Sequence, residues 1–163
     1  MRIPDLGRDG QGWVVLQMLC IAAIAVAGAV GPAWVGALRI IVGALGIALI
    51  GAGWVLGIVG WRALGTAFSP NPRPVSGGQL VVTGIYARVR HPIYGGLILA
   101  AMGWGLSTAS LPALGLAAVL AAIFLLKSVR EEAWLLERYP GYAAYRRRTN
   151  RFLPSPIRIR RPA

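Results

Sequence analysis

Long stretches without a charged side chain are the feature that most restricts how this chain can fold. Residues 10–38 and 92–126 contain no Asp, Glu, Lys or Arg, and only Arg39 interrupts residues 33–61. With 163 residues, 56% hydrophobic and 13% charged, the chain is too apolar for a soluble domain of this size. We therefore predict an all-α, polytopic membrane protein that forms one domain, residues 1–163.

Two spans are predicted within residues 13–61, the first from about Trp13 to Val30 and the second from Ala33 to Trp61. Each is long enough to cross a bilayer core, which takes about 20 residues. A cleaved signal peptide is the alternative for the first span, but the apolar run is long and the second span follows at once. We interpret both spans as scaffold.

The second uncharged stretch, residues 92–126, is predicted to form a tight helical hairpin together with Lys127, so that the hairpin covers residues 92–127. One helix over residues 92–126 would reach about 52 Å, which is too long for a single crossing of an about 30 Å core. Turn-forming residues occur from Gly103 to Pro112. We expect two short helices, about 93–107 and 111–127, which brings the number of spans to about four.

Basic residues lie almost wholly outside the apolar stretches. Seventeen Lys and Arg residues oppose five Asp and Glu residues, a formal net charge of +12. Lys and Arg in short loops mark the cytoplasmic side of a membrane protein, so we do not expect nucleic-acid binding. The loop of residues 62–91 is predicted to be cytoplasmic, and it is long enough for a functional role. The Arg-, Ala- and Gly-rich composition favours a prokaryotic inner membrane.

The C-terminal segment, residues 128–163, is predicted to leave the membrane. We expect a polar amphipathic helix from about Lys127 to Tyr139, a break at Pro140-Gly141, and a second short helix from Tyr142 to Arg148. The basic tail that follows should lie against an anionic cytoplasmic leaflet. Four spans then place both termini on the cytoplasmic side, and His91 and Glu131/Glu132 face that same side.

Few polar residues are available for chemistry. His91 is the only histidine, and it precedes Pro92, which suits the first turn of a helix. Glu131 and Glu132 are adjacent, so on a helix they point about 100° apart and cannot act as a carboxylate dyad. With a single cysteine, Cys20, the sequence offers no Cys/His cluster for a metal. It also has no Ser-His-Asp arrangement and no phosphate-binding glycine loop.

Two sequence patterns resemble a known family. The first is Gly84-x-Tyr86-x-x-Val89-Arg90-His91-Pro92-x-Tyr94-x-Gly96, and the second is Glu131-Glu132-x-x-Leu135 followed by Tyr139, Tyr142, Tyr145, Arg151-Phe152 and Pro154. Together they resemble the isoprenylcysteine carboxyl methyltransferase family and its phospholipid methyltransferase relatives. The resemblance covers roughly residues 64–156, the expected catalytic core.

The resemblance implies an integral membrane enzyme that uses S-adenosylmethionine and has no Rossmann domain. His91, Tyr94 and Gly96 would hold the methionine end of the cofactor. Gly103 and Gly105 resemble the glycine pair of the phospholipid branch, although both also suit a hairpin turn. The full set of implied cofactor-binding residues is Tyr86, Arg90, His91, Pro92, Tyr94, Gly96, Gly103, Gly105, Glu131 and Glu132.

The acceptor is expected to be lipophilic or membrane-embedded: a small molecule, a lipid or a lipidated peptide. Carboxyl O-methylation is the first hypothesis, because a carboxylate needs only a cation to orient it, and Arg130, Arg146 and Arg151 are the candidates. Phospholipid amine N-methylation is the second, with Glu131 or Glu132 accepting the proton. A third hypothesis is an NADPH-dependent membrane reductase, since sterol reductases have a similar His-Pro-x-Tyr element. A fourth is a non-catalytic membrane scaffold.

Overall fold

The described part of the chain folds into five α-helices and two 3₁₀ turns. The computed structural model describes residues 4–30, 36–73 and 77–154. Over these ranges it contains no β-strand, only an isolated parallel bridge between Val89 and Asn150. The helices are α1 (Gln11–Ala29), α2 (Gly36–Leu64), α3 (Pro92–Ser107), α4 (Leu111–Arg138) and α5 (Tyr142–Arg148), with 3₁₀ turns at Gly65–Ala67 and Gly84–Ala87.

The prediction of an all-α, polytopic membrane protein is confirmed. Helices α1, α2 and α4 are long and apolar enough to cross a membrane, and α3 is a shorter apolar helix. Their outer surfaces carry large apolar side chains, among them Leu19, Ile40 and Trp54, which are 65%, 75% and 64% exposed. Lipid is the environment in which such a surface is stable. The predicted Gly31-Pro32 turn and the tail beyond Pro154 lie outside the described residues.

Helices α2 and α3 are antiparallel and touch through small residues. Along α2, Gly46, Gly53 and Gly60 recur every seven residues and face Gly103, Gly96 and Pro92 of α3 in turn. A Cβ atom on Gly96 would lie 2.5 Å from the carbonyl oxygen of Gly53. Small residues let the two backbones approach this closely, as is common between helices in membranes. We call this contact the glycine seam.

The other faces of the bundle pack through larger apolar side chains. Helix α1 lies along α4, and α3 also packs on α4. Their buried core contains Trp13, Cys20 and Ile24 of α1, Ala101 of α3, and Ala113, Ala117, Leu120, Ile123 and Phe124 of α4. Ser110 joins these helices, since its Oγ accepts from Ala113 N (3.2 Å) and donates to Ala27 O (2.8 Å).

Helix α4 differs from the prediction because it does not break at Lys127. It continues as one helix from Leu111 to Arg138, about 42 Å long at 1.5 Å per residue. Lys127 and Ser128 are fully buried, so the first polar residues of the segment face the bundle. The predicted polar helix is therefore not a separate element but the C-terminal part of α4, whereas the second short helix is confirmed as α5.

The predicted tight hairpin is confirmed, with α3 ending at Ser107 and α4 beginning at Leu111. Helix α3 continues through Gly103 and Gly105 to Ser107, and the reversal is completed by residues 108–110, with Ala109 at a φ of 56°. The two glycines are therefore helical residues. Because consecutive helices alternate in direction, the start of α1, the end of α2, the start of α3 and the end of α4 meet at one end of the bundle.

Candidate functional site

A single buried carboxylate organises the polar end of the bundle. Glu132, on α4, is 1% exposed. Its Oε1 accepts from Arg90 Nε (2.9 Å), and its Oε2 lies 3.0 Å from Arg146 Nε and 3.4 Å from Arg151 Nη2. A buried charge is stable only when paired and hydrogen-bonded, so three guanidinium groups from three segments converge here. We call Glu132 and these arginines the Glu132 cluster.

His91 lies between the two adjacent glutamates. Its Nε2 is 3.2 Å from Glu132 Oε1, and its Nδ1 is 3.8 Å from Glu131 Oε2. Tyr94 stacks on the imidazole with ring centroids 5.3 Å apart, and its hydroxyl donates to Glu131 Oε2 at 2.8 Å. One imidazole thus lies beside both carboxylates, within hydrogen-bonding distance of Glu132 only, although the two glutamates diverge on their helix.

The backbone fixes His91 as firmly as the side chains do. Arg90 N donates to Asn150 O (2.9 Å), and His91 N donates to Arg151 O (2.8 Å). Arg90 Nη1 also donates to the carbonyl oxygens of Arg146, at 2.9 Å, and Thr149. The segment before α3 is therefore tied to the loop after α5, so distant parts of the sequence form one site.

A cavity of about 240 Å³ opens beside this network. Its polar wall includes Arg90, His91, Tyr94, Lys127 and Glu131, and its apolar wall comes from α2, α3 and the loop between them. A cavity that mixes apolar walls with a few convergent polar groups is the usual form of a ligand site. We call it the polar pocket.

Three tyrosines around the polar pocket remain uncharged at neutral pH. Burial raises the pKa of Tyr145 to about 12, and it raises the pKa values of Tyr86 and Tyr142 further. Tyr145 donates its hydroxyl to Tyr86 O at 2.7 Å. The hydroxyl of Tyr142 is buried and has no hydrogen-bond partner in the described part of the chain. Such an orphaned donor is costly unless a ligand completes it.

The sequence-predicted residues divide into those that the structure brings to the site and those that it does not. The first group is Tyr86, Arg90, His91, Tyr94, Glu131, Glu132, Arg146 and Arg151. The second is Pro92, Gly96 and Gly103, which belong to the glycine seam, and Gly105, which packs on Leu114. Arg130 turns away, pairs with Asp5 and stacks on Trp134.

Two further residues of the polar pocket carry no strong signal in the sequence. Lys127 is fully buried and donates to Gln17 Oε1 (2.6 Å) and Pro70 O (2.9 Å). Its position four residues before Glu131 is the available signal, because residues at that spacing share a helix face. Gln17 has no comparable signal beyond being polar within an apolar span.

Comparisons with known proteins give a family and two relatives. The family model described as phospholipid methyltransferase matches residues 33–141. The cobalt-zinc-cadmium resistance protein CzcN of Cupriavidus metallidurans is 32% identical over 74% of this chain and 51% of its own length. The nickel-cobalt-cadmium resistance protein NccN of Alcaligenes xylosoxydans xylosoxydans is 32% identical over 90% of this chain and 64% of its own. The chain thus spans about half to two thirds of these relatives.

Proposed function

Since the chain belongs to the phospholipid methyltransferase family, we propose that it transfers a methyl group from S-adenosylmethionine to a lipophilic acceptor. One observation carries the proposal. The polar pocket shares Ile93 and Leu97 with a second cavity, of about 260 Å³, which is almost wholly apolar and lies between α2 and α3. A charged cofactor suits the first cavity and a hydrocarbon chain suits the second, so their common wall lies where the two substrates would meet.

The residues of the polar pocket fit such a cofactor. Glu131 can accept from an ammonium group, and the orphaned Tyr142 hydroxyl can donate to a ligand. Apolar side chains of the same pocket, including Leu64, Leu80 and Val81, can cover an adenine ring. His91 and Tyr94 are held rigidly by stacking and by the glutamates, so they would bind the ligand without first being ordered.

The chemistry asks little of the protein. S-Adenosylmethionine supplies a methyl carbon that is already electrophilic, and the acceptor atom bonds to it as the carbon–sulfur bond breaks and leaves its electron pair on sulfur. The chain has to place the acceptor in line and keep water away. The buried Glu132 cluster fixes the geometry of this end of the bundle.

Carboxyl O-methylation, as in the isoprenylcysteine type, is the reaction that we propose first. A carboxylate acceptor has no proton to lose, and Arg146, whose side chain is 45% exposed, and Arg151 can offer guanidinium donors at the edge of the site. Phospholipid amine N-methylation is the second candidate, and the description of the family favours it. Glu131, which accepts a hydrogen bond from the Tyr94 hydroxyl, would then accept the proton.

Binding and product stability test this proposal. Wild-type protein in detergent should bind S-adenosylhomocysteine in calorimetry and should not bind NADPH. With S-[methyl-³H]adenosylmethionine and membrane lipid extract, a methyl ester would release labelled methanol in alkali, whereas an N-methyl product would keep its label. Failure to bind S-adenosylhomocysteine would exclude the methyltransferase, and binding of NADPH would favour the reductase. A protein that binds neither ligand would favour a scaffold.

We also propose that the site and both termini face the cytoplasm in a prokaryotic inner membrane. The support is the placement of Lys and Arg in the loops that flank the polar pocket. Arg88 and Arg147 are exposed at this end of the bundle. On a Cys20→Ser background, cysteines introduced at either position should react with a membrane-impermeant maleimide in inverted vesicles only. Labelling in intact cells would reverse the orientation.

A further inference from the structure

One buried cation of the polar pocket, Lys127, forms no ion pair within 4 Å among the described residues. Lys127 is 0% exposed, and the two partners of its Nζ, Gln17 Oε1 and Pro70 O, are both neutral. Over residues 4–30, 36–73 and 77–154, no Asp or Glu oxygen lies within 4 Å of this nitrogen. An ammonium group has three donors, so one remains for a further partner.

The same pocket also holds a carboxylate without a strong cation. Glu131 Oε2 accepts from the Tyr94 hydroxyl at 2.8 Å and lies 3.8 Å from His91 Nδ1. The Lys and Arg side chains that the structure describes all lie more than 4 Å from its oxygens. Glu132, one residue later, holds all three arginines of its cluster.

Lys127 and Glu131 are four residues apart and share a face of α4, yet they form no ion pair. Tyr94 keeps them apart, since its hydroxyl binds Glu131 while its ring lies 5.1 Å from Lys127 Nζ. Both side chains line the polar pocket. Ionisable groups within a span are expensive unless they are paired, and a ligand that carries both an anion and a cation would pair both.

We propose that Lys127 binds the α-carboxylate of the amino-acid end of S-adenosylmethionine while Glu131 receives its ammonium group. The inference rests on the proposed function and adds Lys127 as the residue that fixes the orientation of the amino-acid end of the cofactor. A zwitterion then lies across Tyr94, with its charges matched to the two opposite charges of α4. Glu132 stays within its own cluster and does not touch the ligand.

The test compares ligands that differ by one group. Calorimetry on the full-length protein in detergent would use S-adenosylhomocysteine and its decarboxylated analogue, which keeps the amine. Wild type should bind S-adenosylhomocysteine at least tenfold more tightly than the analogue. Lys127→Met should weaken the binding of S-adenosylhomocysteine by a similar factor. It should change the affinity for the analogue by no more than about twofold, and so abolish the preference between the two ligands.

Two further variants keep the test decisive. Arg138→Met removes a positive charge from the exposed end of the same helix and should keep the full preference, and Lys127→Arg should recover part of it. Thermal unfolding establishes that each variant is folded. If Lys127→Met does not fold, the preference of the wild type and the Lys127→Arg variant still decide the matter.

The outcomes separate this inference from the proposed function. Wild type that binds neither ligand would overturn the methyltransferase itself. Wild type that binds both equally would overturn only the role of Lys127. A folded Lys127→Met variant that keeps the preference, or that binds both ligands more weakly by the same factor, would also show that Lys127 does not bind the carboxylate.

Discussion

Helix α3 contributes to two regions that are built in opposite ways. Along α2 it forms the glycine seam, where backbone meets backbone and side chains are nearly absent. At its N-terminus it meets α4 and the loop after α5 through charged side chains around Glu132. One short run of residues therefore serves two purposes: His91 and Tyr94 face the site, whereas Pro92 and Gly96 face the seam.

The largest loss of stability is expected when the Glu132 cluster loses its central carboxylate. Glu132→Gln would leave Arg90, Arg146 and Arg151 without their common carboxylate. Removing one partner of a buried ion pair costs about 3–5 kcal/mol, so unfolding in detergent should require much less denaturant.

Glu131→Gln is the matched control for this substitution. Glu131 has only Tyr94 and His91 as partners among the described side chains, so its loss should weaken S-adenosylhomocysteine binding while the free energy of unfolding changes little. Equal destabilisation by the two variants would contradict the distinction between the Glu132 cluster and a ligand-binding Glu131.

The glycine seam should respond to added volume and not to lost charge. A Cβ on Gly53 would meet the carbonyl oxygen of Gly96, and one on Gly96 would meet that of Gly53. Gly53→Ala and Gly96→Ala should therefore each lower the free energy of unfolding by about 1–3 kcal/mol.

Gly51→Ala tests whether this cost is specific to the seam, because a Cβ at Gly51 meets no described atom within 4 Å. It should leave stability unchanged or slightly raised, as expected for Gly→Ala in an exposed helix. If Gly96→Ala lost ligand affinity while Gly53→Ala did not, Gly96 would contact the cofactor, as the family resemblance implies.

The smallest effect concerns pH. The pKa of Tyr145 is raised by burial from 10.0 to about 12, so the neutral phenol is favoured in the folded state. Its contribution to stability is complete below about pH 10 and is lost as pH rises towards about 12. Melting temperatures in detergent should fall over this interval, and less steeply for Tyr145→Phe. Parallel curves for the two proteins would show that Tyr145 does not contribute.

The sequence predicts the spans well because absence of charge is a direct requirement of the bilayer core. The continuity of α4 escapes prediction because a polar residue looks like an exit to water, whereas Lys127 turns inward to Gln17. Burial of Lys127, Ser128 and Glu132 follows one helix face, but sequence alone does not say whether that face meets protein or solvent.

The site can be predicted in outline and not in its connections. His91, Tyr94, Glu131 and Glu132 do meet, as the paired patterns indicate. From its position in the sequence, Arg130 is as good a candidate cation as the other arginines. Successive side chains on a helix point about 100° apart, however, and the side chain of Arg130 points towards Asp5. The arginines that reach Glu132 depend on how the loop after α5 returns, which no local pattern encodes.

The pairing of Arg90 and His91 with the backbone of Asn150 and Arg151 has a consequence for biogenesis. Helices α1 to α4 all precede Asn150 in the chain, so they are synthesised before these backbone partners of His91, since synthesis and folding proceed from the N-terminus. A chain interrupted before Asn150 would therefore contain all four helices but not the backbone contacts that fix His91.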